Sequence, residues 1–331
     1  MSNSICRWGI LSTANIARKN WLAIRNTGNA IITAVASRSV PKSQQFIDDC
    51  QGYSPFATVP SAVGSYDELL KRDDVDAVYI PLPTGIRKEW VIRAAEAGKH
   101  VLCEKPVGVV AADVSEMLAA CRKNKVQFMD GVMFMHSRRL EKIREALDDG
   151  KSVGQLKRIA SHFSFLAPED FRSQNIRVSS HLEPHGCLGD LGWYNVRFTL
   201  WAMKWQMPKQ VTGRLIAQHG RSDSPAPVPM EFSAELLFPG DVSASFYCSF
   251  LTGHQQWAHI SGSHGYLSLQ DFVVPFFGGE SAFELNSPEL EFDGPFFNMV
   301  SHPRRMARSE EHTSELQSHL NLVCRLLLEK K

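Results

Sequence analysis

Over the first 130 positions, short apolar runs alternate with stretches of helical spacing. The runs at 6–11, 31–36, 77–81, 100–103 and 127–130 read as strands. The patterns around 15–27, 41–50, 66–72, 86–97 and 111–124 read as helices. Such alternation predicts a doubly wound parallel sheet covered on both faces, with a ligand crevice at the strands' carboxyl ends. From about residue 155 the spacing changes, and alternating runs appear at 156–163, 233–238, 243–248 and 258–262. These predict an α+β domain with a largely antiparallel open sheet.

Composition narrows the classes. With 331 residues, 44% of them hydrophobic and 21% charged, the chain can bury two cores of ordinary domain size. The 36 basic and 35 acidic residues leave a formal charge of +1, which gives no general pull toward nucleic acid or an anionic membrane. No run of 18 apolar residues occurs, and the first strand follows the amino terminus without a signal-peptide pattern. Cys6, Cys50, Cys103, Cys121, Cys187, Cys248 and Cys324 are scattered and never form a CxxC pair. Reduced thiols and a cytoplasmic location are the expectation.

The first half reads as an α/β Rossmann domain, and its turns hold the candidate chemistry. Where a dinucleotide fold would carry GxGxxG, the chain has Ser12-Thr13-Ala14-Asn15-Ile16-Ala17. Ser12, Ala14 and Ala17 take the glycine positions, and Ser12 or Thr13 can offer a hydroxyl to phosphate; an ordinary strand-to-helix turn accounts for the same letters. The second strand ends in Ser37-Arg38-Ser39, with Lys42 close behind, where an NAD site would place an acid. A guanidinium suits a 2′-phosphate, so NADP is favoured and NAD remains open. Leu82, Pro83 and Thr84 form a stiff loop that can line the nicotinamide side of the crevice or merely close the strand.

Lys105 stands where the strand 100–103 has ended and is held extended by Pro106. Further on, Asp190 and Tyr194 are spaced i, i+4, one face of a helix. Lys105, Asp190 and Tyr194 can make a proton-transfer trio. His181, Glu183, His185 and Asp190 have spacing that can ligate a cation, but Pro184 disfavours a continuous helix there, and no metal is expected.

Four segments in order resemble the Gfo/Idh/MocA family of NAD(P)-dependent oxidoreductases. Trp8 to Ala17 is similar to its cofactor turn, Ile80-Pro81-Leu82-Pro83-Thr84 to its nicotinamide-side loop, Glu104-Lys105-Pro106 to its signature tripeptide, and Gly189 to Tyr194 to its catalytic segment. The resemblance implies a dinucleotide-binding domain over 1–130 and a substrate-binding and oligomerisation domain over 131–308. It implies that Glu104 and Lys105 border the cofactor, that Lys105 exchanges a proton at the reacting carbon's oxygen, and that Asp190 and Tyr194 complete the substrate site. It further implies a sugar, cyclic diol or keto sugar as substrate and a homodimer or larger homo-oligomer formed through the second domain's sheet. Arg177 is placed beside a polyol substrate; His136 either touches substrate or is structural. The family also contains dinucleotide-binding sensors without turnover, but the intact trio argues for catalysis.

Two departures stand out. Arg87 occupies a position where many relatives carry histidine. The segment 309–331 does not continue the family's pattern; it resembles a translated sequencing adapter, while Leu320, Leu322, Val323, Leu326 and Leu327 can also share one face of an amphipathic helix.

Overall fold

The computed structural model describes residues 5–275 and 280–309. These fall into two compact units, 5–136 and 137–309. Apart from Ser309, the atypical tail lies outside the described residues.

Unit 1 runs β1 (Cys6–Leu11), α1 (Asn15–Asn26), β2 (Ala30–Ala36), α2 (Val40–Tyr53), β3 (Ser61–Val63), α3 (Tyr66–Leu70), β4 (Ala77–Ile80), α4 (Thr84–Glu96), β5 (His100–Cys103), α5 (Ala111–Lys123) and β6 (Phe128–Asp130). A 3-10 turn, Met133–His136, closes it. The six strands pair in parallel in the order β3-β2-β1-β4-β5-β6. This is the doubly wound sheet that the alternation predicts. The strand order reverses between β1 and β4, the place where such sheets open a crevice at their carboxyl edge. All four residues of β4 are buried, as a strand covered on both faces requires. Trp21 of α1 shows how the helices are fixed: its ring meets Phe46 and Phe56 edge-on at 6.2 and 5.2 Å, and its Nε1 donates to Ser54 O at 2.8 Å.

Unit 2 contains α6 (Arg138–Asp148), β7 (Leu156–Ser164), α7 (Phe171–Gln174), α8 (Trp193–Ala202), β8 (Gln210–His219), β9 (Val228–Phe238), β10 (Val242–Ser249), β11 (Gln255–Gly262), β12 (Tyr266–Leu269), β13 (Glu280–Asn286), β14 (Glu289–Asp293), β15 (Phe296–Val300) and β16 (Pro303–Ser309). Eight strands form one sheet in the order β16-β13-β12-β11-β7-β10-β9-β8, while β14 and β15 make a separate ribbon. In the eight-stranded sheet only β7 and β10 run parallel; the other neighbours are antiparallel. Period-two alternation decides the faces. On β7, Ile159, Ser161 and Phe163 are buried, and Ser161 Oγ accepts from Asn195 Nδ2 of α8 at 2.9 Å. His162 lies on the opposite face, beside Tyr247 of β10 and Trp257 of β11, with ring centroids 4.8 and 5.6 Å away.

Candidate functional site

The turns after the strands of unit 1 bring several expected residues to one edge. Ser12 follows β1 with φ +139°, a region that L residues rarely adopt. It thus takes a backbone conformation that glycine adopts readily, and its Oγ accepts from Ala14 N at 3.1 Å. Thr13 and Ala14 are half-buried, Asn15 and Ile16 are exposed, and no side chain caps the amino end of the 12-residue α1. An uncapped helix start of that length presents N–H groups to an anion.

Arg38 and Lys42 are exposed cations where β2 passes into α2. Ser37 departs from the expected pair of hydroxyls around Arg38. It is 5% exposed, its Oγ donates to Ser39 O at 2.8 Å and accepts from Ser43 Oγ at 3.0 Å, so it holds the turn from inside. Tyr66, at the start of α3, stands near both Ser12 and Arg38: burial raises its phenol pKa, and the Arg38 charge and a Ser12 hydrogen bond oppose that rise. Its ring meets Trp90 edge-on at 4.8 Å.

A second network holds the turn that carries Lys105. Glu104, after β5, accepts from Tyr79 Oη at 2.6 Å through Oε1 and from Lys105 N at 3.0 Å through Oε2. Burial, with the Glu104 charge second, pushes the Tyr79 phenol well above its usual range, so it stays protonated and donating. Arg87 of α4 is 3% exposed. Its Nε donates to Leu82 O at 2.9 Å and its Nη1 to Glu104 O at 2.8 Å, and further bonds reach Pro106 O and Leu82 O. Gly131 completes the packing: a Cβ there would stand 3.3 Å from both Cys103 O and Glu104 Oε1. Lys105 and Pro83 are half-buried beside this network, and Leu82 and Thr84 are buried. His136 is half-buried at the end of the 3-10 turn.

In unit 2 the structure brings Arg177, Asp190 and Tyr194 together. The segment Leu188–Gly192 is wound as a π-turn running into α8, not as the continuous α-helix the spacing predicts. The chain enters through Gly186, at φ +45°, where a Cβ would lie 2.1 Å from Pro229 O. Only glycine fits there, and the extra residue in the turn is a feature often found at functional sites. Asp190 Oδ2 accepts from Arg177 Nε at 2.7 Å. The Asp190 charge raises the Arg177 pKa, and Glu183 and Tyr194 act the same way. Tyr194 packs edge-on against Phe163 at 5.5 Å.

Sequence reasoning missed Tyr66 and Tyr79 and gave Arg87 no role. Tyr79 could have been found as the one polar tip in the apolar run before the proline loop. The partners of Arg87 and Tyr66 come from other elements, which no local pattern reveals.

Residues 6–132 match the family described as oxidoreductase family, NAD-binding Rossmann fold, and residues 140–268 match the GFO/IDH/MocA C-terminal domain. A trans-1,2-dihydrobenzene-1,2-diol dehydrogenase of Mus musculus is 31% identical over 293 residues, covering 87% of this chain and 80% of that protein. A dTDP-3,4-didehydro-2,6-dideoxy-alpha-D-glucose 3-reductase of Streptomyces violaceoruber is 31% identical over 285 residues, covering 86% and 78%. A crystal structure of a 3-ketoreductase from Actinomadura kijaniata in complex with NADP and TDP-benzene shares the fold, with a TM-score of 0.79 at 21% identity over 98% of this chain and 90% of that one.

Proposed function

The chain belongs to the Gfo/Idh/MocA family of oxidoreductases, and from that premise we propose that it moves a hydride between NADP(H) and a ring carbon of a sugar or cyclic diol. The carbon passes between CH–OH and C=O. The observation that carries the reading is the carboxyl edge of the unit 1 sheet, where a glycine-like Ser12 turn, Arg38 in place of an acid, and Lys105 on a braced turn follow successive strands. The two curated relatives support the substrate class, being named for a cyclic diol and a deoxysugar nucleotide.

The residues fit NADP. The Ser12 turn and the uncapped start of α1 suit a diphosphate, and the exposed Arg38 fork with Lys42 suits a 2′-phosphate that a carboxylate would repel. Leu82, Pro83, Thr84 and Glu104 shape the nicotinamide end. When bound, the cofactor supplies or accepts the hydride. In oxidation, the Lys105 amine takes the proton leaving the substrate hydroxyl and passes it to solvent; in reduction, the ammonium returns a proton to the oxygen. Asp190 and Tyr194 hold substrate hydroxyls, Arg177 orients Asp190 through their ion pair, and His136 is assigned a structural part. No metal ligand set enters this scheme.

We further place the protein in the cytoplasm as a homo-oligomer. Among the described residues no helix is long and apolar enough to cross a membrane, and the described cysteines are buried and in no disulfide. A second copy would cover the sheet face that bears His162, Tyr247 and Trp257, and light scattering on the eluting protein measures this directly.

The activity test follows NADPH absorbance with a panel of cyclic trans-diols, aldoses and keto sugars. Wild type turns over at least one class, and Lys105→Ala binds NADPH but loses turnover by roughly 100-fold or more. Undiminished turnover in Lys105→Ala contradicts the proton-transfer assignment.

A further inference from the structure

Arg87 is a cation in an unfavourable place. It lies in the first turn of α4, the positive end of the helix dipole, and it is almost wholly withdrawn from water. Each of its hydrogen bonds described above goes to a backbone carbonyl and none to a carboxylate. Burying a guanidinium without an acid normally costs stability unless its donors are met. Here they are met by two loops at once, Leu82 on one side and Glu104 and Pro106 on the other. The Glu104 and Pro106 carbonyls flank Lys105 in the chain, so the fork spans the backbone on which that lysine stands.

We infer that Arg87 is a positioning residue for Lys105, clamping the Leu82 loop to the Glu104-Lys105-Pro106 turn and setting a permanent positive charge against the backbone that carries the amine. The clamp fixes where the amine can reach, and the charge opposes protonation of Lys105 and so supports a free base. Groups placed beside the turn include Tyr79 from β4, Cys103 from β5, Glu104 itself and Asp130 from β6. Tyr79 and Cys103 are buried and neutral, since burial pushes the Cys103 thiol to about 12. Glu104 and Asp130 oppose Arg87, so its removal leaves acids to dominate. Only the part played by Lys105 in turnover rests on the hydride-transfer reading; the clamp and the charge do not.

The test is therefore read first without turnover. Competitive acetylation of Lys105 with acetic anhydride, followed by peptide mass spectrometry across pH, gives the midpoint at which the amine becomes reactive. Arg87→Gln should move that midpoint up by roughly half a pH unit or more, and Arg87→Lys should leave it close to wild type. If Arg87→Gln does not fold, Arg87→His read above the histidine's own titration gives the same neutral comparison. An unchanged midpoint in the neutral variant, whatever happens to thermal stability, overturns the inference. Where wild type binds NADPH and turns over, both Gln and Lys variants should lose about 100-fold in kcat with NADPH affinity kept within a few-fold, because both lose the fork. Wild type without NADPH binding would sink the proposed function and leave the acetylation result to judge Arg87 alone.

Discussion

Lys105 and Asp190 are supported in opposite ways. Lys105 stands on a turn braced by buried groups of its own unit, with Tyr79 of β4 on the Glu104 carboxylate and Arg87 of α4 across three carbonyl oxygens. Asp190 stands on a π-turn whose shape depends on Gly186, and its Arg177 partner is a side chain 40% exposed. The first cluster is fixed by buried groups of β4 and α4, the second by the turn at Gly186 and a partly exposed ion pair.

Three measurements can break or sharpen that contrast. The largest effect is expected in the braced cluster: Tyr79→Phe leaves a Glu104 oxygen without its buried donor and should cost about 2 kcal/mol in denaturant stability, with little change in substrate KM. A stability loss below about 0.5 kcal/mol would show that the brace is slack. In the second cluster, Arg177→Gln should leave stability nearly unchanged and raise substrate KM about ten-fold, the scale of one charge-assisted bond. A change in kcat without KM would place Arg177 in the chemistry.

The smallest effect concerns the sheet face of unit 2. Burial lowers the pKa of His162, and of His259 likewise, below the ordinary 6.5. The folded state therefore prefers both imidazoles neutral, and their contribution is complete above the unfolded value and is lost as pH falls through the lowered folded value. Stability should decline as pH drops below about 6.5, less steeply in His162→Gln. An equal slope in the variant would remove His162 from this account.

Much of unit 1 is legible in its letters because β1, β4 and β5 are apolar on both faces and the intervening helices are periodic. The three-residue β3 is too short to register, and α4 begins at Thr84 instead of 86. Unit 2 hides more. The edge strand β8, Gln-Val-Thr-Gly-Arg-Leu-Ile-Ala-Gln-His, is exposed over most of its length, so no core imposes alternation on it. β14 and β15 form a ribbon whose Phe292, Phe296, Phe297 and Met299 are exposed, giving no face to read. At the candidate site, Arg38 and Lys105 stand out through residue type and place after a strand, and Asp190 and Tyr194 through residue type and their i, i+4 spacing. The backbone of Ser12, the inward hydroxyl of Ser37 and the carbonyl partners of Arg87 are properties of folded geometry alone.

The central claim is that unit 1 holds NADP(H) and reads its 2′-phosphate through Arg38. Titrating NADPH and NADH separately, followed by cofactor fluorescence, into wild type and Arg38→Ala tests it most directly. The account predicts tighter NADPH binding by wild type and a preference that falls about ten-fold or more in the variant while NADH binding hardly changes. Folded wild type that binds neither cofactor, or an NADPH preference untouched by the substitution, would contradict it.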